Sequence, residues 1–352
     1  MKTLSFALLI TFLVSACSQP QTAEGSKQTA EGSSQRSDFG SQTSDASNAA
    51  LQNQIAQIAA EAKGKVGVLA VVVEKARTED SGLRTEKKAD DRRQEAEGTR
   101  QEAELRKQEA LVSLNPQERF PMQSVYKLPI SMAVMKLVDA GKIKLTDKVT
   151  VSRRDMVGSA AHSPIRDKHP NGVSLAVEEL LRYALSESDG TASDVLMKLA
   201  GGPPAVQAYL TELSIKDMIV LDTEQALAQD HSLQFRNYST PEAAVALLRA
   251  LHERRGLSEP SQSLLLKFMT ESTPGAKRLK GLLPPGTPVA HKTGTSGTEN
   301  GVTAATNDIG IITLPTGRHL AIAVFVRDSP ADQATREGVI AKIAKAVFDS
   351  ER

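Results

Sequence analysis

The sequence predicts an α/β (α+β) fold: an antiparallel sheet of about five strands flanked by helices, built from both chain ends, with an all-α domain inserted in the middle. Three observations carry this. Short β-branched, apolar runs occur early, at 66–73 and 111–114, and again late, at 289–293, 303–314 and 319–326. The stretch between them places its apolar residues at helical spacing. Helical patterns also stand outside the strands, with Leu51, Ile55, Ile58 and Ala59 on one face before the first and a helix over 333–348 after the last.

In chain order, Met1-Lys2 and the apolar run 4–14 read as a secretory signal: one basic residue, then a run too short to span a bilayer. The segment ends Val14-Ser15-Ala16-Cys17, which resembles the lipobox of bacterial lipoproteins, whose cysteine is lipidated. Cys17 is the only cysteine, so no intramolecular disulfide forms despite export. Ser18 after it implies a periplasmic-side, lipid-anchored protein retained at the outer membrane. Residues 18–50 are mostly Ser, Gln, Gly, Thr and Ala, and the hexapeptide at 21–26 recurs at 28–33. That composition predicts a flexible tether.

Gly64 and Gly67 end the first helical pattern and the strand at 66–73 follows. Residues 75–109 mix charges of both signs with little apolar content, which predicts a solvated insertion rather than a partner-docking element. After the strand at 111–114 come helices at 128–140, 177–185, 192–199, 204–213 and 241–252. The domain division that follows is 1–17 signal, 18–50 tether, 51–127 with 263–352 as the α/β domain, and 128–262 as the all-α domain. Forty per cent apolar residues support a real core, aromatics are scarce at 3 %, and there is no Trp. The net charge of +1 gives no reason to expect a polyanion, so nucleic acid is not a partner. A monomer is expected.

Four short motifs carry chemistry. In Phe120-Pro121-Met122-Gln123-Ser124-Val125-Tyr126-Lys127, a helix starting at Ser124 would put the Lys127 amine one turn on and within reach of the hydroxyl. A serine needs such a base to become a nucleophile. Ser188-Asp189-Gly190 lies between two predicted helices, where a loop can present a hydroxyl to a cleft. Lys292-Thr293-Gly294-Thr295 ends a strand-like run, and its glycine permits close approach of backbone or ligand. Val220-Leu221-Asp222-Thr223-Glu224 sets a carboxylate after an apolar run. Each alone also reads as an ordinary helix start, turn, strand end or surface glutamate.

Taken in this order and spacing, the motifs resemble the class A serine β-lactamases, and within them the extended-spectrum branch. Ala290-His291-Lys292-Thr293-Gly294-Thr295-Ser296-Gly297 and Asn307-Asp308-Ile309-Gly310 resemble that branch as well, and the likeness runs from about residue 51 to 348 apart from the insertion. The resemblance implies a β-lactamase/transpeptidase-like fold and hydrolysis of penicillins or cephalosporins with water, giving antibiotic resistance. It implies Ser124 as nucleophile, Lys127 as its neighbouring base, Ser188 as proton relay to the leaving nitrogen, Lys292 as the cation orienting Ser188 and substrate, and Glu224 as activator of the deacylating water. The N–H groups of Ser124 and Thr295 would form the oxyanion hole. Gly190, Thr293, Gly294, Thr295, Arg278 and His162 would bind substrate.

Four departures from the family pattern stand out. Gly190 replaces an asparagine that holds the substrate's side-chain carbonyl. Ala228 falls where an asparagine or histidine helps hold the hydrolytic water, so either Gln225 or Gln229 substitutes or deacylation is slow. Ile309 stands where the family has a carboxylate-binding arginine, and Arg278 is expected to replace it. His162 takes the place of the aromatic residue at the cleft rim.

The six histidines form no H-x-x-x-H or H-x-H pair, so no metal is expected, and no phosphate-binding G-x-x-x-x-G-K-S/T loop occurs. No cofactor is implied. Two other functions are compatible with these residues. A D-alanyl-D-alanine carboxypeptidase or penicillin-binding protein shares Ser124, Lys127, Ser188 and Lys292, but the Glu224 context argues against it. A silent binding lipoprotein would not need the intact motifs.

Overall fold

The computed structural model describes residues 38–73 and 110–352; the signal and lipobox at 1–17, the tether to residue 37 and the insertion at 75–109 lie outside them. Residues 44–352 form one unit, and of the other (1–43) only the start of a helix is described.

That helix, α1 (Asp38–Ala60), reaches back into the stretch expected to be tether, so 38–50 is helical. Its first turns are mostly Ser, Gln, Thr, Asp and Ala, with Phe39 alone among large apolar residues, and so leave no stripe for periodicity to see. β1 (Lys65–Val73) and β2 (Ala110–Leu114) follow, then β3 (Phe120–Pro121) and a 3₁₀ turn (Gln123–Tyr126) that runs straight into α2 (Lys127–Asp139). Next come β4 (Lys148–Val151), α3 (Pro164–Lys168), β5 (Val173–Ala176), α4 (Val177–Ser186), α5 (Gly190–Ala200) and α6 (Pro203–Glu212). β6 (Met218–Ile219), α7 (Glu224–Gln229), β7 (Tyr238–Ser239), α8 (Pro241–His252) and α9 (Glu259–Thr270) lead to β8 (Val289–Thr295), β9 (Thr298–Glu299), β10 (Val302–Thr313), β11 (His319–Ser329) and α10 (Gln333–Ser350).

The main sheet has the order β2-β1-β11-β10-β8, with β9 pairing β10, and its pairings are antiparallel. Strands from both chain ends meet at its centre, where β1 pairs β11 from Lys65↔Arg327 to Val73↔His319. Ala321, Ala323 and Phe325 of β11 join the core beneath the helices α2, α4, α5 and α8, while Leu320, Ile322, Val324 and Val326 join the core with α1 and α10. Both faces are covered, which is why these strands read as unbroken apolar runs.

Capping sets the helix starts. Asp189, Thr223, Thr240 and Ser258 each accept an N–H from the first turn of α5, α7, α8 and α9, about 1 kcal/mol apiece. Two expectations change. The middle of the chain is not purely helical: it holds a β4–β5 pair and a three-stranded β3-β7-β6 sheet, with strands too short to leave an alternation signal. The boundary expected at 262/263 falls inside α9, whose Leu265, Phe268 and Met269 pack into the helical core.

Candidate active site

The nucleophile turn is held from below. Met122 N–H donates to Asn237 O at 2.9 Å, and Asn307 Nδ2 on β10 donates to Pro121 O at 2.8 Å and to Met122 O at 3.3 Å. Gly294 of β8 pairs with Asn307, and a β-carbon there would stand 2.2 Å from Met122 O. The glycine is therefore required by the closeness of strand and turn. Gln123, just before Ser124, has φ +48°, and Ser188 has φ +58°. Left-handed backbone in non-glycine residues costs on the order of 1–3 kcal/mol each and persists only where the surroundings impose it. Here it falls just before Ser124 and at Ser188 itself.

Lys127, at the first position of α2 and 2 % exposed, gathers the site. Its Nζ donates to Ser124 Oγ at 2.7 Å, to Ser188 O at 3.1 Å and to Glu224 Oε1 at 2.5 Å. Lys292 is fully buried and its Nζ donates to Ser188 Oγ at 2.8 Å and Thr293 O at 3.1 Å. Burial first, and the Lys127 charge second, push the Lys292 amine well below the ordinary lysine range, against the pull of Asp308 and Glu224. Ser124, Lys127, Glu224 and Thr295 line one cavity of about 300 Å³.

The Ser188 loop is fixed by Asp189, whose carboxylate accepts Ile165 N–H at 2.7 Å, Ala192 N–H at 2.8 Å and the Ser163 hydroxyl. Burial raises its pKa against those same hydrogen bonds. Glu224 opens α7, and Asp194 of α5 holds it by the backbone: Oδ1 accepts Glu224 N–H and Oδ2 accepts Gln225 N–H, both at 2.8 Å. Burial outweighs those two N–H groups and pushes Asp194 from 3.8 up to about 7. Farther along, Asn237 clamps the segment by accepting from Leu221 N–H and Asp222 N–H and donating to Asp222 O.

The remaining expected residues are placed as follows. His162 lines the cavity, its Nε2 3.0 Å from Glu187 O. Gly190 N–H donates to His162 O at 2.9 Å, and a β-carbon on Gly190 would meet that oxygen at 3.2 Å and Glu224 Cγ at 3.4 Å, so Glu224 packs over the place of a side chain. Thr293 is buried and only Thr295 of the pair reaches the cavity lining.

Arg278 does not line the cavity. It is buried, with Nε on Glu337 Oε1, Nη1 on the carbonyls of Gly294 and Asn307, and Nη2 on Thr295 Oγ1 at 2.7 Å. It thus meets the cleft through Thr295. Ile309 is a core residue with no exposure. Neither Gln225 nor Gln229 turns inward: both are exposed, and Gln225 Nε2 donates to Arg154 O. Gln123 and Gln234 line the cavity instead, joined Nε2 to Oε1 at 3.0 Å. Among the described residues no group of three His, Cys, Asp or Glu could hold a metal ion, and no helix is long and apolar enough to cross a membrane.

The arrangement is suited to serine acyl transfer. Lys127 as an ammonium spends its three N–H groups on Ser124 Oγ, Ser188 O and Glu224 Oε1. It can accept the Ser124 proton only after passing one of its own to Glu224. Ser188, with Lys292 donating to its oxygen, keeps its own hydroxyl proton available to a leaving group.

A family profile described as the β-lactamase enzyme family matches residues 93–350. The extended-spectrum β-lactamase PER-1 of Pseudomonas aeruginosa is 44 % identical over 238 residues, covering 68 % of this chain and 77 % of the relative. The β-lactamase VEB-1 of Pseudomonas aeruginosa is 40 % identical over 240 residues, 68 % and 80 % of the two chains. Among solved structures, a β-lactamase from Chitinophaga pinensis superposes with a TM-score of 0.74 at 38 % identity, covering 86 % of this chain and 99 % of the other. The TLA-3 extended-spectrum β-lactamase superposes with a TM-score of 0.73 at 36 % identity, covering 86 % and 98 %.

Proposed function

The chain belongs to the β-lactamase enzyme family and is a class A enzyme that hydrolyses β-lactams and confers resistance, and we propose that Ser124, Lys127, Ser188, Glu224 and Lys292 carry the reaction. The observation that supports this most is the unbroken hydrogen-bonded line Ser124 Oγ–Lys127 Nζ–Glu224 Oε1, opening on one cavity. Lys127 passes a proton to Glu224, and Ser124 Oγ then attacks the lactam carbonyl as its own proton passes to Lys127. The carbonyl oxygen takes negative charge against the N–H groups of Ser124 and Thr295. The C–N bond breaks, the Ser188 hydroxyl gives its proton to the departing ring nitrogen, and Lys292 stabilises the charge on Ser188 and draws the substrate carboxylate. Arg278 contributes to that carboxylate's site by orienting the Thr295 hydroxyl. The proton held on Glu224 returns by way of Lys127 to restore the Ser188 hydroxyl, which leaves Glu224 a carboxylate. Glu224 then takes a proton from water as it attacks the acyl-Ser124 ester, and that proton passes by way of Lys127 to Ser124 Oγ as the ester bond breaks.

Mass spectrometry of the purified protein during turnover of a penicillin and a cephalosporin tests the reading. Rapid substrate loss with little lasting adduct on Ser124 is expected. A stable adduct with one equivalent consumed would instead mark a penicillin-binding protein in which Ala228 leaves the deacylating water unheld.

Export and lipid anchoring through Cys17, on the periplasmic side at the outer membrane, extend the proposal; they rest on the Val14-Ser15-Ala16-Cys17 sequence and the apolar run before it. Cys17→Ala should release the enzyme from the membrane fraction. If the variant stayed membrane-bound to the parent's extent, the anchor would lie elsewhere.

A further inference from the structure

The rim of the cleft opposite β8 is the loop that runs from a 3₁₀ turn (Arg153–Asp155) to α3, and three of its residues, Ala160, Ala161 and His162, line the cavity. One side chain gathers its carbonyls, while Val157 N–H donates to Thr191 Oγ1 at 3.2 Å. Arg166 Nη1 donates to Gly158 O at 2.6 Å and Ala161 O at 2.9 Å, with Val157 O at 3.4 Å, and so ties together the carbonyls on both sides of Ser159 and Ala160. The other edges of the guanidinium are also engaged, Nε and Nη2 both donating to Asp167 Oδ1 at 2.9 and 2.8 Å. A planar fork with donors on each edge can make these contacts together, whereas a lysine ammonium is a single point.

The base from which Arg166 reaches is itself anchored to the catalytic loop. Ser163 caps α3 by accepting Arg166 N–H, and its hydroxyl lies 3.1 Å from both Asp189 oxygens and 2.7 Å from Thr191 Oγ1. Ile165 N–H donates to Asp189 Oδ2, and Gly190 N–H to His162 O. The rim loop therefore hangs between two fixed points, the Asp189 carboxylate at one end and the Arg166 guanidinium across its middle.

We propose that Arg166 is a positioning residue that sets the width of the cleft mouth, and that through Ala160, Ala161 and His162 it selects among β-lactams by the size of their acyl substituent. This rests on the hydrolytic reading above. Arg166 touches no reacting atom. Contact with the acyl group is made by the rim, and one methylene of such contact corresponds to about tenfold or more in specificity. A small acyl group that does not reach the rim gains nothing from the clamp.

The test compares the parent with Arg166→Ala and Arg166→Lys on benzylpenicillin and on a cephalosporin with a bulky oxyimino side chain, with thermal midpoints recorded for each protein. Arg166→Ala is expected to raise KM for the bulky cephalosporin about tenfold, with kcat for both substrates and KM for benzylpenicillin within about threefold of the parent. Arg166→Lys should fall between, since it keeps the charge and loses the fork. Equal losses on both substrates, or no change on either, in a variant whose thermal midpoint matches the parent's, would overturn the proposal. If Arg166→Ala unfolds, the same substrate ratio measured on Arg166→Lys decides. Failure of the underlying reading looks different: Ser124→Ala would then still turn over benzylpenicillin.

Discussion

The two walls of the cleft are built in different ways. On one side, Ser124 and β8 stand on the core: Lys292 and Asn307 are wholly buried, Gly294 lies against Met122, and Asn307 grips the turn before the nucleophile. On the other side, Glu224 opens a helix of six residues held by a few contacts: its first N–H groups on Asp194, its carboxylate on Lys127, and Leu227 against the core. Gln225, Gln229 and Asp230 around it are exposed. The first wall carries the nucleophile and the groups proposed to move its proton, and the second carries Glu224, proposed to take up a proton during acylation and to activate water for deacylation. A sheet and a core helix fix geometry by packing, while a short helix in a long connection depends on a few polar tethers. The two half-reactions should therefore differ in their tolerance of change.

Three substitutions separate the walls, beginning with the largest effect. Glu224→Gln removes the base of the second wall and leaves the first intact. Turnover should fall on the order of 10²–10⁴-fold: acylation slows because Lys127 loses its proton acceptor, deacylation slows further because the water loses its base, and an acyl-Ser124 adduct accumulates by mass spectrometry. Turnover at the parent's rate would show that another group activates the water.

Gly294→Ala acts on the first wall. Its β-carbon would collide with Met122 O, a backbone atom that cannot rotate away. We expect about 1–3 kcal/mol of destabilisation and slowing of both half-reactions, read by thermal melting and single-turnover kinetics. A loss confined to deacylation would mean that the turn is not held in place by the strand.

Asp194→Asn weakens the second wall only. An amide offers one acceptor oxygen where the carboxylate offers two, so one of the Glu224 and Gln225 N–H groups loses its partner, and a roughly tenfold fall in kcat is expected. The same group carries a pH signature. In the folded protein Asp194 keeps its proton up to about 7, whereas in the unfolded chain it releases it near 3.8. Between these values the folded state binds more protons, so stability from this group declines as pH rises through that window. The difference in thermal midpoint between parent and Asp194→Asn should therefore change between pH 5 and pH 8. A constant difference would mean that the carboxyl is charged throughout.

The same contrast governs what could be read from the chain. Ser124, Lys127, Ser188, Lys292 and the glycine between Thr293 and Thr295 lie in short local motifs on strongly patterned elements, and the long strands and the helix at 241–252 were visible in their apolar spacing. Asp194 was not. In Gly190-Thr191-Ala192-Ser193-Asp194 it looks like any polar position on a helix, and only the fold brings Glu224 N–H to it. Asn237 and Arg166 are hidden for the same reason: their partners are set by loop geometry rather than by period. Arg278 was legible as a residue near the site, but not its burial against Glu337, which comes from α10 at the far end of the chain. The glutamine pair Gln123–Gln234 needed the structure as well, since the two are far apart in sequence.

The place of β11 has a consequence for how this protein comes into being. The strand that joins β1 to β10 at the middle of the sheet is the last one to be made. Until it is available, β1 with β2 and β8 with β10 are separate, each with an unpaired inner edge, and pairing of such distant segments is slow to close. A chain cut before His319 would hold every proposed catalytic residue and still lack the strand that brings its two ends together.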